Sequence, residues 1–272
     1  MRIPEESFGK EQQKFFDEWA QENIETEGQL QNSFWSFYNN FVTEQLEFLG
    51  TLSSFRVCLD LGCGTGKNFP ILSKYARTII GIDISEQSIR YANKFDGQKT
   101  NLMMADGGFL PFRQDIFDGI VVVHVLHHTL DFRRILRETL RVIKPGGYML
   151  LIDLTSDNPL VNLGRKLWPS FPKIAQSRVA DLNVHSKIPE KTSFSKREFK
   201  CELTKLGFNT IESDNRHLFL FCLFYISRIL PTIQRLLPDN VLFPIYRLEK
   251  KLLGGFLQRF AHVIITITKA DK

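Results

Sequence analysis

Cysteine is scarce in this sequence. Its four cysteines (Cys58, Cys63, Cys201 and Cys222) stand apart in 272 residues, with no C-x-x-C pair. That spacing argues against a disulfide-stapled scaffold or a zinc ribbon and suits a reducing cytosol. Long apolar runs are also lacking. The longest strongly apolar stretch, Leu218 to Ile226, falls short of the roughly 20 residues a bilayer-spanning helix needs. There is no internal repeat or low-complexity tract, and the opening MRIPEESFGKEQQKFFDEWA is charged throughout, unlike a signal peptide. The resulting expectation is a cytoplasmic protein.

What is present is a globular composition, 43% hydrophobic and 24% charged, in a chain long enough for one large domain or two small ones. The net charge of +5 is unevenly distributed. Residues 155–272 carry 19 Lys and Arg against 10 Asp and Glu, whereas the first 154 carry 16 against 20. Phenylalanine is abundant, with 24 residues, more than a core of this size requires. The basic, apolar second half fits an anionic partner, a membrane surface or a greasy ligand.

From Phe55 to Asp153 short apolar runs alternate with amphipathic ones. Strands are predicted at 56–62, 78–85, 101–106, 118–126 and 148–154, with helices at 67–76, 86–95 and 131–143, and Ser85 as the cap of the second helix. The pattern resumes with a helix at 195–208 and strands at 209–215 and 261–269. Such alternation implies parallel strands joined by right-handed crossovers, hence an α/β, doubly wound sheet of seven strands. The first 50 residues read as a helical, aromatic addition, while segments 155–194 and 217–259 interrupt the pattern.

The strongest motif is Asp60-Leu61-Gly62-Cys63-Gly64-Thr65-Gly66, a strand running into a glycine turn before a helix. Glycines there let a ligand approach the backbone closely. A dinucleotide fingerprint needs its third glycine one residue later, where Lys67 stands, and no P-loop Lys-Ser/Thr follows. Two acidic residues mark later strand ends: Asp83 in Gly-Ile-Asp-Ile-Ser, and Asp106 in Ala-Asp-Gly, followed by Leu110-Pro111-Phe112.

Together these segments resemble the class I S-adenosylmethionine-dependent methyltransferases, in particular the small-molecule group that acts in ubiquinone, menaquinone and natural-product biosynthesis. The resemblance is good over about residues 50–154 and looser beyond. It implies a Rossmann-like, mostly parallel seven-stranded sheet, a methyltransferase domain over 51–272, and an N-terminal helical lid over 1–50. It implies S-adenosylmethionine as cofactor and S-adenosylhomocysteine as product. By the same resemblance Asp60, Gly62, Cys63, Gly64 and Gly66 wrap the methionine and ribose portion, Asp83 holds the ribose hydroxyls, Ile84 packs on the adenine, and Asp106 with Gly107 meets its amino edge.

The run Val123-His124-Val125-Leu126-His127-His128 closes the fourth strand. The resemblance sets His124 near the sulfonium and His127 or His128 near the acceptor. An imidazole with its ordinary pKa of about 6.5 can take a proton from a hydroxyl during methylation. Packing and hydrogen bonding of the loop is the equally weighted alternative. A metal site is not expected, because no carboxylate or cysteine stands at matching spacing. Lys144-Pro145-Gly146-Gly147 reads as a structural turn before strand five.

The additions carry the expectations about substrate. Trp35, Tyr38 and Phe41 share a helix face that is expected to pack in the core or to line the acceptor pocket. The segment around Phe219, Phe221 and Phe224, followed by Arg235, Arg247, Lys250 and Lys251, suits a lined cavity, an interfacial membrane surface or a subunit contact. The leading reading is a methyltransferase for a hydrophobic small molecule, with peripheral membrane contact through the C-terminal cap as a further use of that surface. The aromatics lie among aliphatics and not along an exposed basic stripe, so nucleic acid is not expected. An RNA or protein methyltransferase and a catalytically silent cofactor-binding partner are the competing readings.

Overall fold

The computed structural model describes residues 5–27, 33–94, 100–129, 131–154, 195–216 and 263–272, together with Pro244 and Leu248. Segments 155–194 and 217–243, including Phe219, Phe221 and Phe224, lie outside the described residues, as do the side chains of Trp35 and Tyr38. The chain begins with helices α1 (Glu5–Glu27) and α2 (Ser33–Leu52). There follow β1 (Phe55–Leu61), α3 (Phe69–Tyr75), β2 (Ala76–Asp83), α4 (Glu86–Ala92), β3 (Thr100–Met104) and β4 (Phe117–Val123). After a 3-10 turn at Leu126–His128 come α5 (Phe132–Val142), β5 (Ile143–Leu154), α6 (Lys196–Lys205), β6 (Phe208–Arg216) and β7 (Val263–Ala270).

The strands form one sheet in the order β3-β2-β1-β4-β5-β7-β6. All neighbours from β3 through β5 are parallel, and β7 runs antiparallel to both β5 and β6. This is the mostly parallel, doubly wound, seven-stranded sheet expected from the alternation. Two layers of helices cover it, and the strands alternate strictly between them. Cys58, Val121, Leu150, Ile152, Ile265 and Ile267 face the α2, α3 and α4 layer. Leu59, Leu61, Ile120, Val122, Met149 and Leu151 face α5 and α6. Both faces being apolar accounts for the unbroken hydrophobic runs.

Local chemistry sets the helix ends. Ser85 caps α4 as expected, its hydroxyl accepting from the Ser88 N–H, and Ser195 does the same for α6 through Glu198 N–H. Asp131 caps α5 through the Arg133 N–H, and Phe132, Ile135, Leu136, Thr139 and Val142 form its buried stripe. The Lys-Pro-Gly-Gly turn differs from expectation. It is absorbed into β5 as an irregularity between the pairs Phe117↔Ile143 and Gly119↔Tyr148, tied down where Lys144 Nζ meets Asp118 Oδ1 at 2.5 Å.

The first 50 residues contain two elements with different surroundings. α2 belongs to the sheet's helical layer, with Phe41, Val42, Leu46 and Leu49 buried in the core. α1 packs on α4 and reaches the carboxyl edge of the sheet. Among the described residues, no helix is long and apolar enough to cross a membrane. Because Phe41 is almost wholly buried, Phe41→Ala is expected to cost about 3–5 kcal/mol, read as a lowered urea midpoint. A loss below about 1 kcal/mol would show that α2 is not part of the core.

Candidate active site

The order of the sheet reverses between β1 and β4, so its carboxyl edge opens into a crevice there. The chain leaves β1 through Gly62, whose φ is +72° and whose missing Cβ would stand 2.3 Å from Val125 Cγ2. Any side chain would therefore push the histidine loop away. Gly64 has φ +50°, yet a Cβ there would meet nothing within 4 Å. Space is left beside the loop backbone where a ligand can lie. Gly62 and Cys63 donate N–H bonds to Ile82 carbonyl oxygen at 2.8 and 2.9 Å, which fixes the loop on the end of β2. The Cys63 thiol is buried in the core against Gly81, and burial pushes both it and Cys58 up, so they remain neutral thiols.

Three carboxylates face this edge in different surroundings. Asp83, at the end of β2, accepts from Gly64 N–H at 2.9 Å through Oδ2 and from Ser85 N–H at 2.9 Å through Oδ1. Burial nevertheless raises its pKa, against the lowering effect of those backbone donors. Asp106 follows β3, is exposed, and turns one oxygen back to Gly108 N–H at 2.8 Å. The backbone of Gly107 lies against Leu61. Ile84 is half-buried beside Asp83.

Asp60 is fully buried. Both its oxygens meet the same donor, the Asn68 amide, at 3.3 Å each. Burial pushes the carboxyl from 3.8 up to about 7, with Asn68 pulling it down and Asp83 pushing it further up. A buried carboxylate served by a single long amide is short of donors. A cationic ligand group would complete its shell.

The histidine loop is built at the ends of β4 and β5. His124 adopts φ +56°, a left-handed conformation that costs a non-glycine residue about 1 kcal/mol or more. Its N–H bonds Ile152 carbonyl oxygen at 2.8 Å. His127 is buried, and its Nδ1 lies 2.6 Å from Asp153 Oδ1, while Asp153 Oδ2 accepts from Leu126 N–H at 2.8 Å. The carboxylate lying between two donors makes Nδ1 the protonated nitrogen and directs proton exchange to Nε2. The His128 ring lies 3.8 Å from that of His127, centroid to centroid. His124, His127 and Asp153 offer ligand atoms within 4.8 Å of one another, so folding supplies the carboxylate that the local sequence lacked. Both oxygens of that carboxylate are occupied by Leu126 and His127, which accounts for Asp153 as the partner that orients an imidazole.

Helix α1 lies across this edge. Its Asp17 Oδ1 accepts from the Ser85 hydroxyl at 2.7 Å and from Gln87 N–H at 3.0 Å. Gln12 donates to His128 carbonyl oxygen at 2.5 Å, and the Phe16 ring stands edge-on to His128 at 5.0 Å. Sequence reasoning singled out Asp60, Asp83, Asp106 and the three histidines, and folding brings them all to one edge. It missed Asp153, Asn68 and the α1 contacts. Asp153 carried the signal that selected Asp83, an acidic residue closing a predicted strand. Nothing in the sequence linked α1 to residues more than 60 positions away.

Comparison with known proteins agrees with this fold. Residues 59–151 match a family described as a methyltransferase domain. An O-methyltransferase of Penicillium expansum is 36% identical over 107 residues, 37% of this chain and 39% of that protein. A demethylmenaquinone methyltransferase of Lactobacillus johnsonii is 30% identical over 166 residues, 56% of this chain and 68% of that enzyme. The chain spans about a third to two fifths of the length of several other curated relatives it matches. Among solved structures, magnesium protoporphyrin IX methyltransferase of Synechocystis with bound S-adenosylhomocysteine shares the fold at TM-score 0.55 and 15% identity, covering 88% of this chain and 84% of that one.

The raised pKa of Asp60 gives a stability prediction with a definite sign. Its folded-state pKa, about 7, lies above its ordinary 3.8, so the stability it contributes is complete at low pH and is lost as pH rises to about 7. Asp60→Asn removes that loss. The ligand-free variant is expected to gain about 1–3 kcal/mol over wild type at pH 8 and roughly a third to a half of that at pH 5, measured by urea unfolding. A variant destabilised equally at both values would contradict the assignment.

Proposed function

Because the chain belongs to the class I S-adenosylmethionine-dependent methyltransferases, we propose that it methylates an O, N or C atom of a hydrophobic small molecule, with a hydroxyl oxygen favoured. The observation that carries this reading is the buried Asp153–His127 pair, 2.6 Å apart, at the crevice edge. Such a pair suits an acceptor that must lose a proton as it is methylated.

The open space beside Gly64, the under-served Asp60 and the preset Asp83 fit the cofactor's chemistry. Asp60 would take its ammonium, Asp83 its ribose hydroxyls, and the second oxygen of Asp106 its adenine amine, with Ile84 and Gly107 against the ring. Gly62, Gly64 and Gly66 would give the backbone its close approach, and Cys63 would contribute main chain only. S-adenosylmethionine brings a methyl group already activated on a sulfonium, so the protein mainly positions the reactants and excludes water.

His124 would line the sulfonium side of the crevice. His127 accepts the acceptor's proton at Nε2, while Asp153 holds the tautomer and stabilises the imidazolium that forms. His128, held by Gln12 and Phe16, lines the acceptor side. α1 acts as the lid over this edge. Phe16, together with Trp35, Tyr38 and the Phe219, Phe221 and Phe224 segment, would supply apolar walls. A relative named as a demethylmenaquinone methyltransferase supports a greasy acceptor, and one named as an O-methyltransferase supports an oxygen nucleophile.

The test is a turnover screen with S-adenosylmethionine, lipophilic phenols and RNA, run on wild type and on His127→Gln. Methylation of a phenol is expected, with kcat lowered about 10²–10⁴-fold in His127→Gln and cofactor affinity within twofold of wild type. Unchanged phenol turnover in the variant removes the base role. Methylation of RNA but of no phenol overturns the acceptor class.

A further inference from the structure

We propose that Asn68 is a positioning residue for cofactor binding, acting through Asp60 by orienting its carboxylate and favouring the ionised form. The inference rests on the reading above, in which Asp60 receives the cofactor's ammonium.

Asn68 stands at the N-cap of α3, where an asparagine side chain ordinarily accepts a bond from a backbone N–H two or three residues on. Here it makes no such bond. Its Nδ2 reaches back across the glycine loop to both oxygens of Asp60, at 3.3 Å each. The cap position thus forgoes its local role and serves a carboxylate with no exposure to solvent. Placing the amide on both oxygens fixes the plane of the carboxyl group and leaves its remaining lone pairs for a ligand.

The other groups acting on Asp60 are acidic or neutral. Asp83 approaches from the end of β2 and disfavours a second negative charge. The thiols of Cys58 on β1 and Cys63 in the loop are neutral. Asn68 is therefore the lowering influence among them. A hydrogen bond donated to a carboxylate favours its charged form, so removing the amide makes Asp60 harder to ionise. A cofactor ammonium needs the ionised form, and loss of Asn68 should weaken binding most where Asp60 is still protonated.

The experiment is calorimetric titration of the full chain with S-adenosylmethionine from pH 5.5 to 7.5, with the proteins compared at equal pH so that titration of the ligand's own α-amino group, at about 7.7–8.0, cancels between them. The proteins are wild type, Asn68→Ala, Asn68→Ser, Asp60→Asn, and the Asn68→Ala/Asp60→Asn double variant. Serine is itself a good N-cap, so Asn68→Ser withdraws the amide while keeping the start of α3.

Wild-type affinity is expected to rise with pH as Asp60 ionises. In both Asn68 variants that rise should shift upward by about half to one pH unit, making binding about three- to tenfold weaker at pH 6 and much closer to wild type at pH 7.5. In the Asp60→Asn background, Asn68→Ala should have no further effect. Superimposable pH profiles for wild type and both Asn68 variants would overturn the inference, as would an equal loss at every pH or an Asn68 effect that persists without Asp60. A wild-type protein that binds no S-adenosylmethionine would instead overturn the reading on which the inference rests.

Discussion

The buried carboxylates at the carboxyl edge of this sheet must find hydrogen-bond donors where water is largely excluded, and the fold meets that requirement unequally. Asp153 receives a backbone N–H from Leu126 and an imidazole from His127. Asp83 receives backbone N–H groups from Gly64 and Ser85. Asp60, the most deeply placed of the ligand-facing carboxylates, receives one amide at long range. The well-served carboxylates orient something: Asp153 an imidazole, Asp83 the glycine loop. The poorly served one ionises only at a cost and is positioned to have that cost offset by a cation. The distribution of donors therefore separates groups that build the site from the group that waits for a ligand.

That distribution follows from topology. In a parallel sheet every strand ends on the same edge, and reversal of strand order between β1 and β4 keeps that edge open. Residues that close strands, Asp83, His124 and Asp153, are thereby carried to one crevice although up to 70 positions separate them. The conformations needed there are costly. Gly62 has no room for a Cβ, and His124 holds a left-handed backbone without being glycine. Two apolar layers, packed on alternate residues of the same strands, hold these conformations in place.

Much of this was legible in the sequence because it depends on local signals. Apolar runs bounded by glycine and capped helices located most strands to within two or three residues, β5 excepted because it starts five residues earlier at Ile143, and Ser85 caps α4 as its position suggested. The glycine loop and the acidic residues after the second and third strands were readable for the same reason. Pairings across the fold were not. The carboxylate nearest His127 in sequence, Asp131, caps α5 instead, and the link of His127 to Asp153 exists only once β4 and β5 lie side by side. Asn68 falls inside the helix expected at 67–76 with no role assigned to it, and its turn toward Asp60 depends on the path of the glycine loop. The reach of α1 to Ser85 and His128 had no local signature, since Gln12, Phe16 and Asp17 meet partners more than 60 positions away.

The central claim is that Asp60 holds its proton in the ligand-free protein and surrenders it to accommodate the cofactor's ammonium. Calorimetry of S-adenosylmethionine binding at pH 7, repeated in buffers of differing ionisation enthalpy, measures that proton directly. With a carboxyl pKa of about 7, binding at one site is predicted to release a fraction of a proton, roughly 0.3–0.5 per cofactor bound, and the release should disappear in Asp60→Asn. Binding with the same proton release in that variant would contradict the account, as would the absence of any binding.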